Sequence, residues 1–518
     1  MSNEVTLTIN GQSVSVPAGT TIIQAAQKLG VHVPHFCWHP GLSIAGVCRF
    51  CMVKIEGNPK LQIACNTPVG EGMKVDTVNE EVKDAHKWAL EFHLINHPLD
   101  CPICDQAGEC ELQNYYMKVG RYDSQMDEQK VLKPKALDVG TTLVLDTERC
   151  ILCSRCVRFE DEVTKTSTLG IFNRGDVAVI GTYKDRRITH NYSYNIADIC
   201  PVGAFTAKDF RFKCRVWFLS ETKTVCPGCS TGCNVTLFQN KNQRDYYRLK
   251  PRFNEQVNGH WMCDYGRSMY EHLNAGARLS QPLLGGASTS WDVASASLAA
   301  ELKAAGSQGT AVVLTPQETV EDYEALLSGL EGLLGALPAI TVWRPTGETP
   351  EAFDGILFRG DRNPNTKGLA EVLEKRGVSA ITQQGSQLSP RAKSGDVPQL
   401  TLVFGPEVEK AYEGFEGDLR RLAQLAQSKS GTKVCYIGVS LSAAANSFWM
   451  RLPSKTFAEK GGTYVNAQGV RQRLKANAPV MPHVLGIADI LKGLALPPQK
   501  VSAPSVSLSV ASSVFPSV

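Results

Sequence analysis

Sixteen of the chain's 17 cysteines lie before residue 264, and most fall into four groups whose spacing suits metal ligation. The first group is Cys37, Cys48, Cys51 and Cys65. Its central C-x2-C pair lets two thiolates meet one centre, and Cys37 and Cys65 can close the set from flanking loops. Gly-rich turns with adjacent thiols make poor core packing, so a [2Fe-2S] cluster is the favoured occupant. The second group, in HPLDCPICDQAGEC (97–110), has only three thiolates: Cys101, Cys104 and Cys110. A cubane offers four iron corners and imidazole is a competent iron ligand, which nominates His97 as the fourth donor. The third group runs through RCILCSRCVRF (149–159), with Cys150, Cys153 and Cys156 at C-x2-C-x2-C. That spacing is too tight for a zinc ribbon and suits three corners of a [4Fe-4S] cubane. The Cys-Pro at Cys200, in DICPVGA, supplies the fourth. The last group is Cys226, Cys229, Cys233 and Cys263, again a [4Fe-4S] candidate. Zinc stays open there, because four thiolates alone do not exclude it. Cys214 and Cys435 are left over and read as ordinary buried thiols.

Local elements must present these donors. VTLTINGQSVSV reads as two short strands around Asn10-Gly11, a strong hairpin signal. A helix from about Thr21 follows, with Ile22, Ile23, Ala26 and Leu29 on one face. A hairpin with a packed helix suggests a small β-grasp domain, the scaffold of plant-type ferredoxins. The stretch EEVKDAHKWALEFHLINH reads as a helix with Val82, Ala85, Ala89 and Phe92 near one stripe, delivering His97. Bacterial ferredoxins place a further cysteine three residues beyond their C-x2-C-x2-C run, and Glu160 stands there instead. The paired clusters of those proteins are therefore not expected. Past residue 300, apolar strand candidates alternate with helical patterns: AVVLT (311–315), GILF (355–358), LTLVF (400–404) and KVCYIGV (433–439). This predicts a parallel α/β sheet with helices on its faces. The final VSAPSVSLSVASSVFPSV is Ser/Pro/Val-rich and reads as a mobile tail.

The 518 residues suffice for several domains. A net charge of +3, from 54 basic and 51 acidic residues, gives no reason to invoke nucleic acid. No apolar run of membrane-spanning length is present, and the start carries no recognisable leader, so a cytosolic chain is expected. In a reducing compartment clustered cysteines point to metal in preference to disulfides.

Three stretches resemble the large iron–sulfur subunit family of respiratory NADH:quinone oxidoreductase (complex I; the 75 kDa subunit in mitochondria), in a short bacterial form. They are PHFCWHPGLSIAGVCRFC (34–51), CPICDQAGECELQ (101–113) and RCILCSRCVRF (149–159). The resemblance implies a [2Fe-2S] cluster at the first stretch. It implies a [4Fe-4S] cluster with one histidine and three cysteine ligands at the second, and an all-cysteine cubane at the third. The fourth group resembles an additional cubane of some bacterial members that lies off the main electron route. Ala107 departs from the family, which usually has glycine there.

The resemblance also implies a multidomain α+β and α/β chain. The expected parts are a β-grasp [2Fe-2S] domain (1–80), a helical histidine/cysteine [4Fe-4S] domain (81–145) and a ferredoxin-like [4Fe-4S] domain (146–216). A [4Fe-4S] module (217–272), a shortened molybdopterin-oxidoreductase-like α/β domain (273–500) and the tail (501–518) follow. Weak family matches at RLSQPLL and a better one at KTFAEKGGTYVNAQGVRQ (455–472) carry the α/β assignment. No molybdenum-ligating cysteine is evident, so no molybdopterin is expected. The implied role is an electron relay, taking single electrons from an NADH/FMN-binding flavoprotein subunit towards a quinone-reducing module. It would sit among other peripheral-arm subunits on the cytoplasmic side of a bacterial inner membrane, with no NADH site or membrane span of its own. An NAD-linked hydrogenase or formate dehydrogenase subunit, which shares this front end, is the alternative.

Overall fold

Asn10 and Gly11 both take positive φ (51° and 79°), the geometry a two-residue hairpin needs. They join β1 (Glu4–Ile9) to β2 (Gln12–Pro17). Thr21 then starts α1 (Ile22–Lys28) through a reciprocal cap with Gln24. The strands β3 (Met52–Ile55), β4 (Gln62–Ile63) and β5 (Lys74–Asp76) complete a sheet of order β2-β1-β5-β3-β4. Leu7, Ile9, Ile22, Ile23 and Val53 fill the space between it and α1. This is the β-grasp arrangement expected of the amino-terminal part. The computed structural model describes residues 4–495, apart from 124, 275, 277, 346–348, 350, 413, 429–430 and 441. The tail expected over 501–518 lies outside the described residues.

The next helix, α2 (Glu80–Leu94), buries Val82, His86 and Leu90; of the stripe read from the sequence Val82 is buried, Ala85 and Ala89 are half-buried, and Phe92 is not part of it. Phe92 is 70% exposed. His86 can face the core because its Nε2 lies 3.0 Å from the Met52 carbonyl, which satisfies the ring. α3 (Glu111–Val119) packs beside α2. Then come β6 (Leu137–Asp138), β7 (Leu143–Leu145), α4 (Arg155–Phe159), the hairpin β8 (Leu169–Phe172) and β9 (Val179–Thr182), α5 (Tyr194–Ile199) and β10 (Phe205–Ala207). β10, β7 and β6 form a small sheet. An antiparallel sheet of β11 (Leu219–Val225), β12 (Asn234–Asn240) and β13 (Tyr246–Pro251) precedes the short α6 (Asp264–Arg267).

The second half is built on one sheet of order β15-β14-β21-β20-β19-β16-β17-β18. Its elements, in chain order, are β14 (Leu283–Leu284), β15 (Ala287–Ser288), α7 (Trp291–Gly309, broken at Gly306), β16 (Thr310–Leu314), α8 (Val320–Leu334) and β17 (Ala339–Arg344). They continue through α9 (Thr366–Lys375), β18 (Ile381–Gln384), β19 (Leu400–Phe404), α10 (Phe415–Ser428), β20 (Lys433–Gly438) and β21 (Met450–Pro453). The hairpin β22 (Gly462–Val465) and β23 (Arg471–Leu474) and the helix α11 (Ile487–Ala495) end the described chain. The strands from β16 to β21 run parallel, as expected of a doubly wound α/β unit. GILF (355–358) is a turn and not a strand. The amides of Ile356, Leu357 and Phe358 all donate to Asp354 Oδ1, and two of them also to the Tyr192 hydroxyl. With their donors occupied, these residues have no ladder to join. Among the described residues no helix is long and apolar enough to cross a membrane.

Candidate metal centres

The first group is assembled on the loops that flank β3 and β4, and all four cysteines are buried. Arg49, between Cys48 and Cys51, takes a left-handed φ of 54°, which curls the loop and turns both thiols inward. The Cys37 amide donates to Cys48 Sγ at 3.5 Å. Hydrogen bonds from the Cys48 and Cys65 thiols hold Cys37 well below the usual thiol range, while Cys48 is pushed up by the same bond and by burial. Four thiols close enough to share protons fit a binuclear cluster.

In the second group His97 follows the end of α2, its amide bonded to the Leu94 carbonyl at 3.0 Å. Its Nδ1 is buried with no hydrogen-bond partner. Burial, with Lys130 and Arg149 nearby, pushes the ring down to about 4, so it is neutral and has a lone pair to give. Cys101 opens a short turn, and Cys110 stands at the start of α3. His97, Cys101 and Cys110 line one cavity of about 500 Å³. Cys104 lies under the Cys200-Pro-Val-Gly loop, where a Cβ on Gly203 would stand 2.2 Å from its Sγ. An orphaned imidazole nitrogen, on a residue that lines the same cavity as two of the thiols, fits a cubane held by one histidine and three cysteines. Gly108 takes φ +90° against Val216 and Trp217, and Ala107 has no such demand, so the departure at 107 leaves the turn intact.

The third group wraps through left-handed Leu152 and Ser154 (φ 55° and 61°), bringing Cys150, Cys153 and Cys156 together at the head of α4. Cys200 ends α5, its sulfur receiving bonds from the amides of Phe205, Val202 and Ala204. Burial pushes Cys153 up to about 11 and raises Cys200. Glu160 is fully buried and accepts from the amides of Thr168 (2.6 Å) and Leu169 (2.7 Å). Its carboxylate serves the backbone, not a metal.

The fourth group sits where β11 turns into β12, with Cys226 N bonded to Cys233 O at 2.8 Å. Cys263 starts α6, its Sγ accepting from Gly266 N at 3.3 Å. All four thiols are buried, and burial holds Cys233 and Cys263 far above the ordinary range. A Cβ on Gly266 would lie 3.0 Å from Cys226 Sγ and 3.4 Å from Cys263 Sγ. Buried thiols this costly to ionise would be compensated by a cationic metal centre, so the set fits one. Among the described residues no trio of His, Cys, Asp or Glu closes on a single-ion site, so a zinc ion would require the sulfurs to draw in.

Cys37, Cys48, Cys110, Cys153, Cys156, Cys226, Cys233 and Cys263 all belong to one continuous core. Cys435 lies in β20, fully buried, as expected. Cys214 does not: it is half-buried and accepts from Asn240 Nδ2 at 3.6 Å. Sequence reasoning misses the motif arginines. Arg149 pairs with Asp100 at 2.9 Å, beside Cys101. Arg158 donates to the carbonyls of both Cys37 and Cys153. Their alternation with cysteines in RCILCSRCVRF is the available signal.

In the second half, the strand order reverses between β16 and β19, where open α/β sheets bind ligands. Here the chain fills that crevice itself. Tyr464 donates to Gln317 O (3.0 Å), Gln317 accepts from Val408 N (2.8 Å), and Lys460 pairs with Glu318. A Cβ on Gly405 would meet the Tyr436 ring at 2.3 Å.

Family models match along the same portion. A 2Fe-2S iron-sulfur cluster binding domain covers residues 2–80, and an NADH-ubiquinone oxidoreductase-G iron-sulfur binding region covers 87–125. An NADH-quinone oxidoreductase subunit 3 ferredoxin-like domain covers 140–206, and a molybdopterin oxidoreductase Fe4S4 domain covers 219–275. Fold and thiol groups together define a protein with domains of the [2Fe-2S] and [4Fe-4S] types. An NADH-quinone oxidoreductase subunit of Rickettsia bellii is 38% identical over 304 residues, 58% of this chain and 44% of that protein. The mitochondrial NADH dehydrogenase [ubiquinone] iron-sulfur protein 1 of Solanum tuberosum is 41% identical over 281 residues, 54% of this chain and 37% of that protein. The chain is thus homologous to these large iron–sulfur subunits of NADH-quinone oxidoreductase over its iron–sulfur portion, and the match spans about two-fifths of those relatives' length. A solved NAD+-reducing [NiFe]-hydrogenase structure in the H2-reduced state covers 41% of this chain and 91% of its own, at 29% identity and a TM-score of 0.37.

Proposed function

We propose that the chain is an iron–sulfur electron relay within an NADH:quinone oxidoreductase, carrying single electrons and performing no hydride chemistry. Cys37, Cys48, Cys51 and Cys65 hold a [2Fe-2S] cluster. His97 with Cys101, Cys104 and Cys110 holds one cubane, Cys150, Cys153, Cys156 and Cys200 a second, and Cys226, Cys229, Cys233 and Cys263 a third. When bound, these clusters change charge by one electron with little ligand rearrangement. The protein's part is to bury the ligands, exclude water and supply amide and arginine donors that favour the reduced charge. The observation that carries this reading is that thiols of all four groups share one core. The filled crevice between β16 and β19 supports a second half without molybdopterin.

Electrons would arrive from a flavoprotein partner that binds NADH and FMN, and leave towards a quinone-reducing partner. The assembly would sit peripherally on the cytoplasmic side of a bacterial inner membrane. Anaerobic iron, sulfide and zinc analysis with EPR of the reduced protein tests the cofactor set. The full set requires about 14 iron atoms per chain. About 10 with one zinc would make the fourth group structural, and zinc without any EPR signal would overturn the relay.

A further inference from the structure

Several buried arginines of the iron–sulfur half and its border are matched by a close carboxylate. Arg149 meets Asp100 at 2.9 Å, Arg248 meets Glu109 at 2.8 Å, Arg267 is bidentate to Asp198, and Arg278 meets Glu459 at 2.6 Å. Arg155 differs. Its side chain is 6% exposed, and the carboxylate it faces, Glu111 Oε2, stands 3.6 Å away. The hydrogen bonds of Arg155 go to carbonyls: Nη1 to Ile199 O at 3.0 Å and Nη2 to Trp38 O at 2.8 Å. A buried cation is unfavourable unless an anion compensates the hydration it loses.

The positions of its contacts indicate what that anion is. Trp38 adjoins Cys37, Ile199 adjoins Cys200, Glu111 adjoins Cys110, and Arg155 itself adjoins Cys156. One guanidinium thus touches the backbone or side chain beside a ligand of three separate groups. An iron–sulfur cluster with its thiolates is a net anion that gains a further negative charge on reduction.

We propose that Arg155 is a positioning residue shared by three centres, a buried cation that holds their loops together and raises their reduction potentials in concert. This rests on the reading that these groups bind clusters. The two carbonyl contacts belong to the Cys37 and Cys150–Cys200 groups, and the Glu111 carboxylate offsets part of the charge towards the His97 group. The effect is therefore largest on the first and third groups, smaller on the second and absent at the fourth. Arg158, which bonds the carbonyls of Cys37 and Cys153, acts on the first and third only.

The test is an EPR-monitored redox titration of the full-length, cluster-loaded protein and its Arg155→Gln, Arg155→Lys and Arg158→Gln variants, after iron analysis of each. Arg155→Gln should shift the midpoints of the binuclear cluster and the Cys150–Cys200 cubane to lower potential together, shift the His97 cubane less, and leave the fourth centre in place. Arg155→Lys, which keeps the charge, should return them. If Arg155→Gln does not retain its clusters, Arg158→Gln decides, by moving the first and third midpoints together or not. Midpoints that do not move, that move at one centre alone, that move alike at all four, or that lysine does not restore would overturn the proposal. Wild-type protein that binds no iron would overturn the relay itself and this role with it; loaded protein with unmoved midpoints would overturn only this role.

Discussion

At His97 a neutral imidazole stands where a thiolate would add a negative charge. Its Nδ1 is buried and unpartnered, and the residue lines the cavity that Cys101 and Cys110 share. Thiolate is a good iron ligand, so His97→Cys is expected to keep its cluster at a lower potential, the reverse of the shift imidazole ligands give Rieske centres. A redox titration followed by EPR checks this, and the ligand assignment fails if every midpoint and spectrum stays as it was. Cys435 makes the opposite case. It is buried in β20 far along the chain from the four groups, and nothing but burial acts on it. Cys435→Ser should leave iron content unchanged while costing about 1–3 kcal/mol of stability for a buried hydroxyl. Loss of iron on that substitution would mean that the second half holds a metal site.

At the scale of elements, close backbone approaches set the sites. Gly203 sits in the loop after Cys200 yet faces Cys104, so one turn shapes two groups. Gly203→Ala should displace Cys104 and lower the metal content by about four iron atoms per chain, read by iron analysis against the wild type. Full iron content would show that the loop can give way. In the α/β half, Lys460 faces three carboxylates, Glu318, Asp322 (3.5 Å) and Glu407 (3.8 Å), with His272 Nε2 3.9 Å from Glu407 on its other oxygen. Lys460→Met removes the ammonium they share and should cost about 3–5 kcal/mol in denaturant unfolding. Burial pushes Glu318 up to about 7. The folded protein therefore keeps a proton there that the unfolded chain loses at ordinary carboxyl pH. Its contribution to stability is whole below about 4.5 and declines as pH rises to about 7, so unfolding curves over that span should weaken accordingly.

These elements also show where sequence reading succeeds and where it stops. Asn10-Gly11 dictates its own turn through local φ preferences, and the apolar runs of β16, β19 and β20 are long enough to declare buried strands. The buried face of α2 escapes the apolar pattern because His86, a polar residue, is made apolar in effect by a distant carbonyl. The turn at GILF depends on Tyr192, more than 160 residues away, and no local pattern reveals that. The ligand groups are legible because thiol spacing is itself the chemistry. Arg155 is not, since a charge between cysteines looks solvated until the fold closes carbonyls around it.

For the whole molecule, the groups are separate in sequence but not in space. His39, on the Cys37 loop, stacks on Trp261 near Cys263 with ring centroids 5.3 Å apart, and Trp261 meets Phe159 of α4 at 4.9 Å. Side chains from three groups thus meet in one aromatic contact. A relay needs clusters that sense one another, and paramagnetic clusters that do so shorten each other's spin relaxation. The most direct measurement is the microwave-power saturation of the binuclear EPR signal in the loaded protein, followed as the cubanes are reduced in turn. The relay predicts that the signal becomes harder to saturate once the Cys150–Cys200 cubane takes its electron. A saturation curve unchanged from one reduction state to the next would contradict it, leaving clusters that are bound but isolated.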